Sequence, residues 1–331
     1  MKYVFFTEAS QQVGYGHLFE VLSIAGSLPK QEVCFVLMDS APAAADIIRR
    51  KGYSQIEQVK KEGIDRLSSL ESSCIVMDTR SNSLWLQKKL RQMAKHLVVI
   101  DELGNKQLFC DTLINFSLCD SWIKSYSFDE QPHSLTGPQY YPLRREFAQA
   151  GNRQDYCASK KVLVSLGGAD RTRTTLKIAE IFSGVEGFEF AYIIGPGFNF
   201  GRKEVLLKTQ GKSNHKVIEN PANFSEILLQ QALLISSGGN TLFEAAYCGV
   251  PAVVLWEDTH ESAQGQAFER RGTALVFGCG EKINEFSLRA KKEIASLVNN
   301  EQRLFQMSNA GRKLVDGKGC ARIADSLRKC V

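Results

Sequence analysis

A chain of 331 residues is longer than one hydrophobic core usually organises, so two domains of roughly 150 residues each are expected. With 44% hydrophobic, 23% charged and 9% aromatic residues, its composition is that of a soluble globular protein, which excludes disorder, collagen-like repeats and a disulfide-stapled miniature. The 41 Lys and Arg against 36 Asp and Glu leave a net charge of only +5, so no nucleic-acid partner is expected and only a local anion site stays open.

Short apolar runs alternate with helical-period stretches along the whole chain, the pattern of an α/β fold with parallel sheets covered on both faces. In the first half, strands are expected at Lys2–Phe6, Glu32–Leu37, Ser73–Met77, His96–Ile100 and Thr112–Asn115, and helices from about Gly16, Pro42, Gly63 and Leu84. Between Ser117 and Asn152 the period fades among Pro132, Pro138 and Pro142, which reads as a connector. Alternation resumes with strands at Lys161–Ser165, Phe188–Ile194, Lys216–Ile218, Leu233–Ser236, Ala252–Leu255 and Ala274–Phe277. The closing segment from Asn300 to Cys330 reads as helix, break and helix, with Gly317 and Gly319 as the break. Domains of residues 1–145 and 146–331 follow.

The nine cysteines (Cys34, Cys74, Cys110, Cys119, Cys157, Cys248, Cys279, Cys320 and Cys330) are scattered, odd in number and without C-x-x-C spacing, and read as reduced and mostly structural. No stretch approaches 18 uninterrupted apolar residues, and the opening apolar run of five is too short for a signal peptide. A cytoplasmic protein without an integral membrane segment is expected, and no protein partner can be inferred.

Four turns could carry chemistry. Gly14-Tyr15-Gly16-His17 follows the first strand and opens a helix, where glycines allow close approach and free N–H groups favour an anion. It lacks the third glycine of a dinucleotide fingerprint, and a tight turn with a capping histidine is the alternative. Leu166-Gly167-Gly168-Ala169-Asp170 follows the first strand of the second half, at a ligand-facing strand end or as a plain turn. The strongest block is Ser237-Gly238-Gly239-Asn240 with the helix after it, stopped by Gly249-Val250-Pro251. Backbone donors of Gly238, Gly239 and Asn240 suit a diphosphate, and Glu244, one turn further, can accept from ribose hydroxyls. His260 and Glu261 lie in a polar segment after the Ala252–Trp256 run, either reaching a sugar or solvated.

Together these residues resemble the GT-B nucleotide-sugar proteins, most of all the UDP-sugar hydrolases of pseudaminic acid biosynthesis and their spore-coat-polysaccharide relatives. The likeness also rests on Asp101-Glu102, Cys110–Asn115, Pro142–Phe147 and Asp316-Gly317-Lys318-Gly319, and it covers nearly the full length. It implies two Rossmann-like domains with a cleft between them, sugar and base on the first and UDP on the second. The Val217-Ile218 region would face uracil, Glu244 the ribose and Ser237 to Asn240 the diphosphate, with Gly14, Gly16, Gly168, His260 and Glu261 completing the binding set. His17 matches the histidine that activates water at the anomeric carbon, and the released sugar would be of the diacetamido-trideoxy type used for nonulosonic acids.

A histidine suits that role because it titrates near neutrality, and the helix start is expected to lower its proton affinity. UDP is a stable leaving group, and the absence of any Asp-x-Asp element fits chemistry without a metal or other cofactor. Three positions depart from the hydrolase pattern: Glu20 stands for an arginine, Arg80 for a tyrosine, and His260-Glu261 for Asn-Gln. These leave two further readings. One is an inverting glycosyltransferase in which His17 activates an acceptor hydroxyl and His260 supports the phosphates; the other is a nucleotide-sugar binding module without chemistry.

Overall fold

The structure, a computed structural model, describes residues 2–10, 12–67, 73–80, 82–104, 106–152 and 159–331. Gln11, beside the first glycine turn, and Cys157 lie outside the described residues. The chain divides into two compact units, one of Met1–Arg145 with Gly317–Val331 and the other of Glu146–Asp316.

The first unit runs β1 (Tyr3–Thr7), α1 (Gly16–Ala25), β2 (Val33–Met38), α2 (Pro42–Arg50), β3 (Ile56–Val59), β4 (Cys74–Asp78), α3 (Leu84–Met93), β5 (His96–Ile100), β6 (Gln107–Leu108), β7 (Thr112–Asn115), α4 (Asp120–Ile123), β8 (Ser127–Phe128) and β9 (His133–Thr136), with α5 (Arg145–Ala150) at the boundary. Its main sheet has the order β3-β2-β1-β4-β5-β7-β9, every pair parallel. All residues of β1, β2 and β4 are buried, as apolar runs covered on both faces must be. Val4, Phe6, Val36, Ile75, Met77, Leu90 and Val99 share one of its cores.

Three expectations change here. No α-helix starts at Gly63; Lys61–Arg66 is a short 3-10 segment, because a glycine within six residues leaves too little to sustain a helix. Strand β3 was not expected, since Ile56-Glu57-Gln58-Val59 carries two polar residues and lies at the sheet edge. The Ser117–Asn152 stretch is not merely a connector: β9 within it pairs with β7 and adds the seventh parallel strand.

The second unit continues with β10 (Lys161–Ser165), α6 (Thr174–Phe182), β11 (Glu189–Ile194), α7 (Arg202–Lys208), β12 (His215–Glu219), α8 (Phe224–Leu229), β13 (Leu233–Ser236), α9 (Thr241–Cys248), β14 (Ala252–Trp256), α10 (Thr259–Arg270), β15 (Ala274–Cys279), α11 (Ser287–Val298) and α12 (Glu301–Leu314). Its sheet order is β12-β11-β10-β13-β14-β15, again parallel throughout. Gly249 ends α9 at φ +69°, and its N–H and that of Val250 bond back to Ala246 and Ala245. Gly311 lets α12 lie against α9, since a Cβ there would stand 2.9 Å from the Ala246 carbonyl oxygen.

The final helix, α13 (Gly319–Arg328), returns to the first unit, so the second domain does not extend to residue 331 as expected. Gly319 meets the Tyr141 carbonyl where no Cβ fits, Cys320 Sγ lies 3.6 Å from the Leu143 oxygen, and an Arg328 guanidinium N–H donates to Ser27 O at 2.8 Å. Its buried face of Ile323, Ala324 and Leu327 packs against α1. Gly319, legible only as a helix break, is in fact a close-packing point.

Each sheet reverses its winding once, between β1 and β4 in the first unit and between β10 and β13 in the second. Ligands of open α/β sheets bind outside the strand carboxyl ends at such reversals. The turn before His17 follows β1, the Gly167-Gly168 turn follows β10 and the Ser237–Asn240 turn follows β13.

Candidate functional site

After β1 the chain makes a small hairpin in which Ser10 and Gly14 exchange two backbone hydrogen bonds, 3.3 and 2.8 Å. Gly14 sits at φ +83° with open space where a side chain would be. Gly16 opens α1, and His17, the next residue, reaches across to the neighbouring strand end. Its Nδ1 lies 2.8 Å from Oδ1 of Asp78, the last residue of β4. A carboxylate oxygen there accepts from Nδ1–H, which leaves Nε2 as the basic nitrogen of the neutral ring.

Burial pulls the His17 proton affinity down, but the Asp78 carboxylate and its hydrogen bond, with Glu20 and Glu8 further off, outweigh it and raise the pKa to about 9. The expected lowering by the helix start is therefore overturned: one helix terminus acts on a ring that three carboxylates face. The ligand atoms of His17, Glu20 and Asp78 lie within 4.8 Å of one another, close enough to hold a cation. Glu20 is buried one turn along α1.

A fourth carboxyl comes from the loop after β5. Burial, then Glu20, Asp78 and Asp101, push Glu102 well above the usual carboxylate range. Asp101 itself is a structural hub: it accepts from Asn82 Nδ2 at 2.7 Å, Lys106 Nζ at 2.7 Å, Tyr126 OH at 2.8 Å and the N–H groups of Leu103 and Gly104. The loop that carries Glu102 is thereby fixed. Arg80 turns its side chain to solvent while its N–H donates to Glu8 Oε1 at 2.6 Å.

In the second unit the turns after β10 and β13 start from adjacent strands in register, Ser165 opposite Ser236. Gly168 accepts from the Gly197 N–H at 2.8 Å, and a Cβ on Gly195 would lie 2.7 Å from the same carbonyl. The Gly195-Pro196-Gly197 turn, missed in the sequence, thus seats the Gly168 turn. Asp170 caps α6 by accepting from the N–H groups of Thr174 and Thr175 at 2.8 and 2.7 Å.

Gly238 has φ +119°, and a Cβ there would stand 2.7 Å from the Glu261 carbonyl oxygen, so this position requires glycine. Neither Gly238 nor Gly239 donates its N–H to a backbone carbonyl among the described residues, and α9 starts two residues on. His260 and Glu261 form the first turn of α10 rather than a loop. Glu261 accepts from Glu257 N at 2.8 Å and from the Ser237 hydroxyl, which ties α10 to the glycine turn, and burial raises its carboxyl. Glu244 is 4% exposed inside α9. Ile218 lies on the edge strand β12, three strands from β13, and is not brought beside the glycine turn. Gln264, one turn beyond His260, was also missed: it is 1% exposed, and both amide atoms lack a partner among the described residues.

No family model matches the chain. Three curated relatives do. The uncharacterised protein MJ1062 of Methanocaldococcus jannaschii is 27% identical over 273 residues, 78% of this chain and 56% of that protein. The spore coat polysaccharide biosynthesis protein SpsG of Bacillus subtilis is 24% identical over 338 residues, 98% of this chain and 96% of that one. The pseudaminic acid cytidylyltransferase and UDP-2,4-diacetamido-2,4,6-trideoxy-beta-L-altropyranose hydrolase of Helicobacter pylori is 27% identical over 188 residues, 55% of this chain and 34% of that one. The chain thus spans little more than half of the first relative and about a third of the last.

Among solved structures, MurG of Acinetobacter baumannii superposes with a TM-score of 0.67 at 13% identity, covering 99% of this chain and 100% of that one. The UDP-GlcNAc 2-epimerase of Neisseria meningitidis bound to UDP-GlcNAc gives 0.64 at 12% identity, covering 99% and 100%. HepE of Anabaena in complex with UDP gives 0.65 at 12% identity, with the same coverage. The fold is GT-B-like, with two Rossmann-like domains.

Proposed function

We propose that this protein hydrolyses a UDP-linked amino-deoxy sugar, releasing UDP and the free sugar, with His17 as the base that activates water. The observation that carries the reading is the His17–Asp78 pair at the winding reversal of the first unit. Asp78 fixes the ring so that Nε2 takes a proton from water as it attacks the anomeric carbon, and UDP departs with the bonding pair. Such base catalysis contributes on the order of 10²–10⁴-fold.

The second unit supplies the grip in this reading. The N–H groups of Gly238 and Gly239 and the α9 terminus bind the diphosphate and absorb the charge that develops on departure. Asn240 extends that donor set and Glu244 holds the ribose. Gly14, Gly16 and Gly168 leave room for backbone approach, and Glu261 braces the glycine turn from α10. The relatives in polysaccharide and pseudaminic acid biosynthesis, and the UDP in two of the structural neighbours, support a UDP-sugar as the ligand.

With its pKa near 9, His17 is mostly protonated at neutral pH in the free protein. UDP release, measured as kcat/KM, should therefore rise with pH and level off near 9. The deciding experiment follows UDP release from a panel of nucleotide-linked amino sugars, with and without acceptors, for wild type and His17→Ala. Release with water alone, lost in the variant, supports hydrolysis. Release that requires an added acceptor supports the glycosyltransferase reading. Binding of UDP without any turnover would leave a binding module.

A further inference from the structure

The chain leaves the first unit at Arg145 and returns to it only with α13, so that helix is held there by tertiary contacts alone. Near its start, Arg322 donates to Gln139 O at 2.8 Å, and near its end Arg328 donates to Ser27 O. Just past the helix, Cys330 is partly exposed and its S–H donates to Ser326 O at 3.3 Å.

A second thiol lies against this one. Cys74 is the first residue of β4 and fully buried, on the sheet face opposite the core that takes Ile75 and Met77. A side-chain hydrogen bond joins the two cysteines, Cys74 donating to Cys330, so residues more than 250 positions apart in sequence bring their sulfurs together. The two thiols are also unequal. That hydrogen bond, with Lys95 nearby, holds Cys330 below the ordinary thiol range against its partial burial, and the same bond, then burial, raises Cys74. Burial pushes Cys110 and Cys320 up to about 12. The thiolate is the nucleophile, so the partly exposed Cys330 is the thiol that a small oxidant meets first, with Cys74 waiting behind it.

We infer that Cys74 and Cys330 are a redox modification site, closed to an intramolecular disulfide by a low-molecular-weight disulfide such as glutathione disulfide, which fastens α13 to β4. The Cys330 thiolate attacks one sulfur of glutathione disulfide, whose S–S bond breaks to release one glutathione thiolate. Cys74 then attacks the Cys330 sulfur of the mixed disulfide, and its proton leaves with the second glutathione. Two protein thiols are oxidised and one glutathione disulfide is reduced to two thiols. The sulfurs close to about 2.05 Å in the product. Cys74 opens the strand that Asp78 ends, about 13 Å away along β4, so the pair is separate from the His17 site.

The test incubates the reduced, folded protein with glutathione disulfide, blocks the remaining thiols by alkylation and maps the peptides by mass without reduction. A linked Cys74–Cys330 peptide, two hydrogens lighter than its parts, should be the main cross-link and should disappear with dithiothreitol. Cys330→Ser should give no such peptide and leave the buried Cys74 as a free thiol, with Cys330→Ala as a second variant. Closing a loop this long restricts the unfolded chain, so the linked protein should melt roughly 5 °C or more above its reduced form, a rise absent from identically treated Cys330→Ser. Both thiols still free, or Cys330 ending as a glutathione mixed disulfide with Cys74 unreacted, would overturn the site. A linked protein with unchanged Tm would overturn the fastening of α13.

Discussion

The two winding reversals present opposite chemistry on the same topology. The first unit presents titratable side chains at its reversal, His17, Asp78 and Glu102, and the proposed function there depends on which atoms bear protons. In the second the strand ends carry glycines, and the proposed function there depends on backbone N–H groups and on the space left by missing side chains. A site built from side chains can be altered by changing one atom; a site built from backbone is altered only by changing its shape.

The largest expected effect breaks the first site by such an atom. Asp78→Asn keeps the side-chain size but can donate to Nδ1, which favours the wrong tautomer, so kcat should fall by roughly 10²–10⁴-fold while UDP affinity measured by calorimetry stays near wild type. An equal loss of affinity would mean that Asp78 shapes the fold rather than the base. Next comes a change of shape in the second site. Gly238→Ala forces a Cβ into the Glu261 carbonyl at φ +119°, a strain of about 1–3 kcal/mol, and should weaken UDP binding about tenfold or more while the His17 pH dependence persists.

A smaller effect is thermodynamic. The folded-state pKa of His17, about 9, is raised above the ordinary 6.5, so its contribution to stability is complete below 6.5 and is lost as pH rises through 9. Thermal melts between those values should show a decline in Tm that is shallower in His17→Ala. An unchanged slope in the variant would assign the decline to other groups. The smallest effect sharpens the contrast within the second site: Gly168 has open space at the Cβ position, so Gly168→Ala should leave Tm almost unchanged, in contrast to Gly238→Ala.

Much of this arrangement was legible because local sequence and topology agree. Fully buried runs such as Cys34–Leu37 and Leu233–Ser236 specify parallel strands, and Gly238 and Gly239 mark the turn that follows the second of them. The polar edge strands β3 and β9 were not, because an edge strand lacks the apolar run that identifies an interior one. Asp78 lies just past the strand expected at Ser73–Met77 and was not singled out, because its partnership with His17 depends on β1 and β4 being neighbours, a long-range fact. The same reason hid the raised proton affinity of His17: sequence shows the helix start, and only the fold gathers Glu8, Glu20 and Asp78 around the ring.

The proposed function assigns UDP to the glycine turns of the second unit and the base to His17 of the first. Its most direct test pairs calorimetric titration of UDP with single-turnover UDP release from a UDP-amino sugar, for wild type and His17→Ala. The account predicts near-equal UDP affinity and a release rate reduced by roughly 10²-fold or more in the variant. Undiminished release by His17→Ala, or no heat from UDP with either protein, would contradict it.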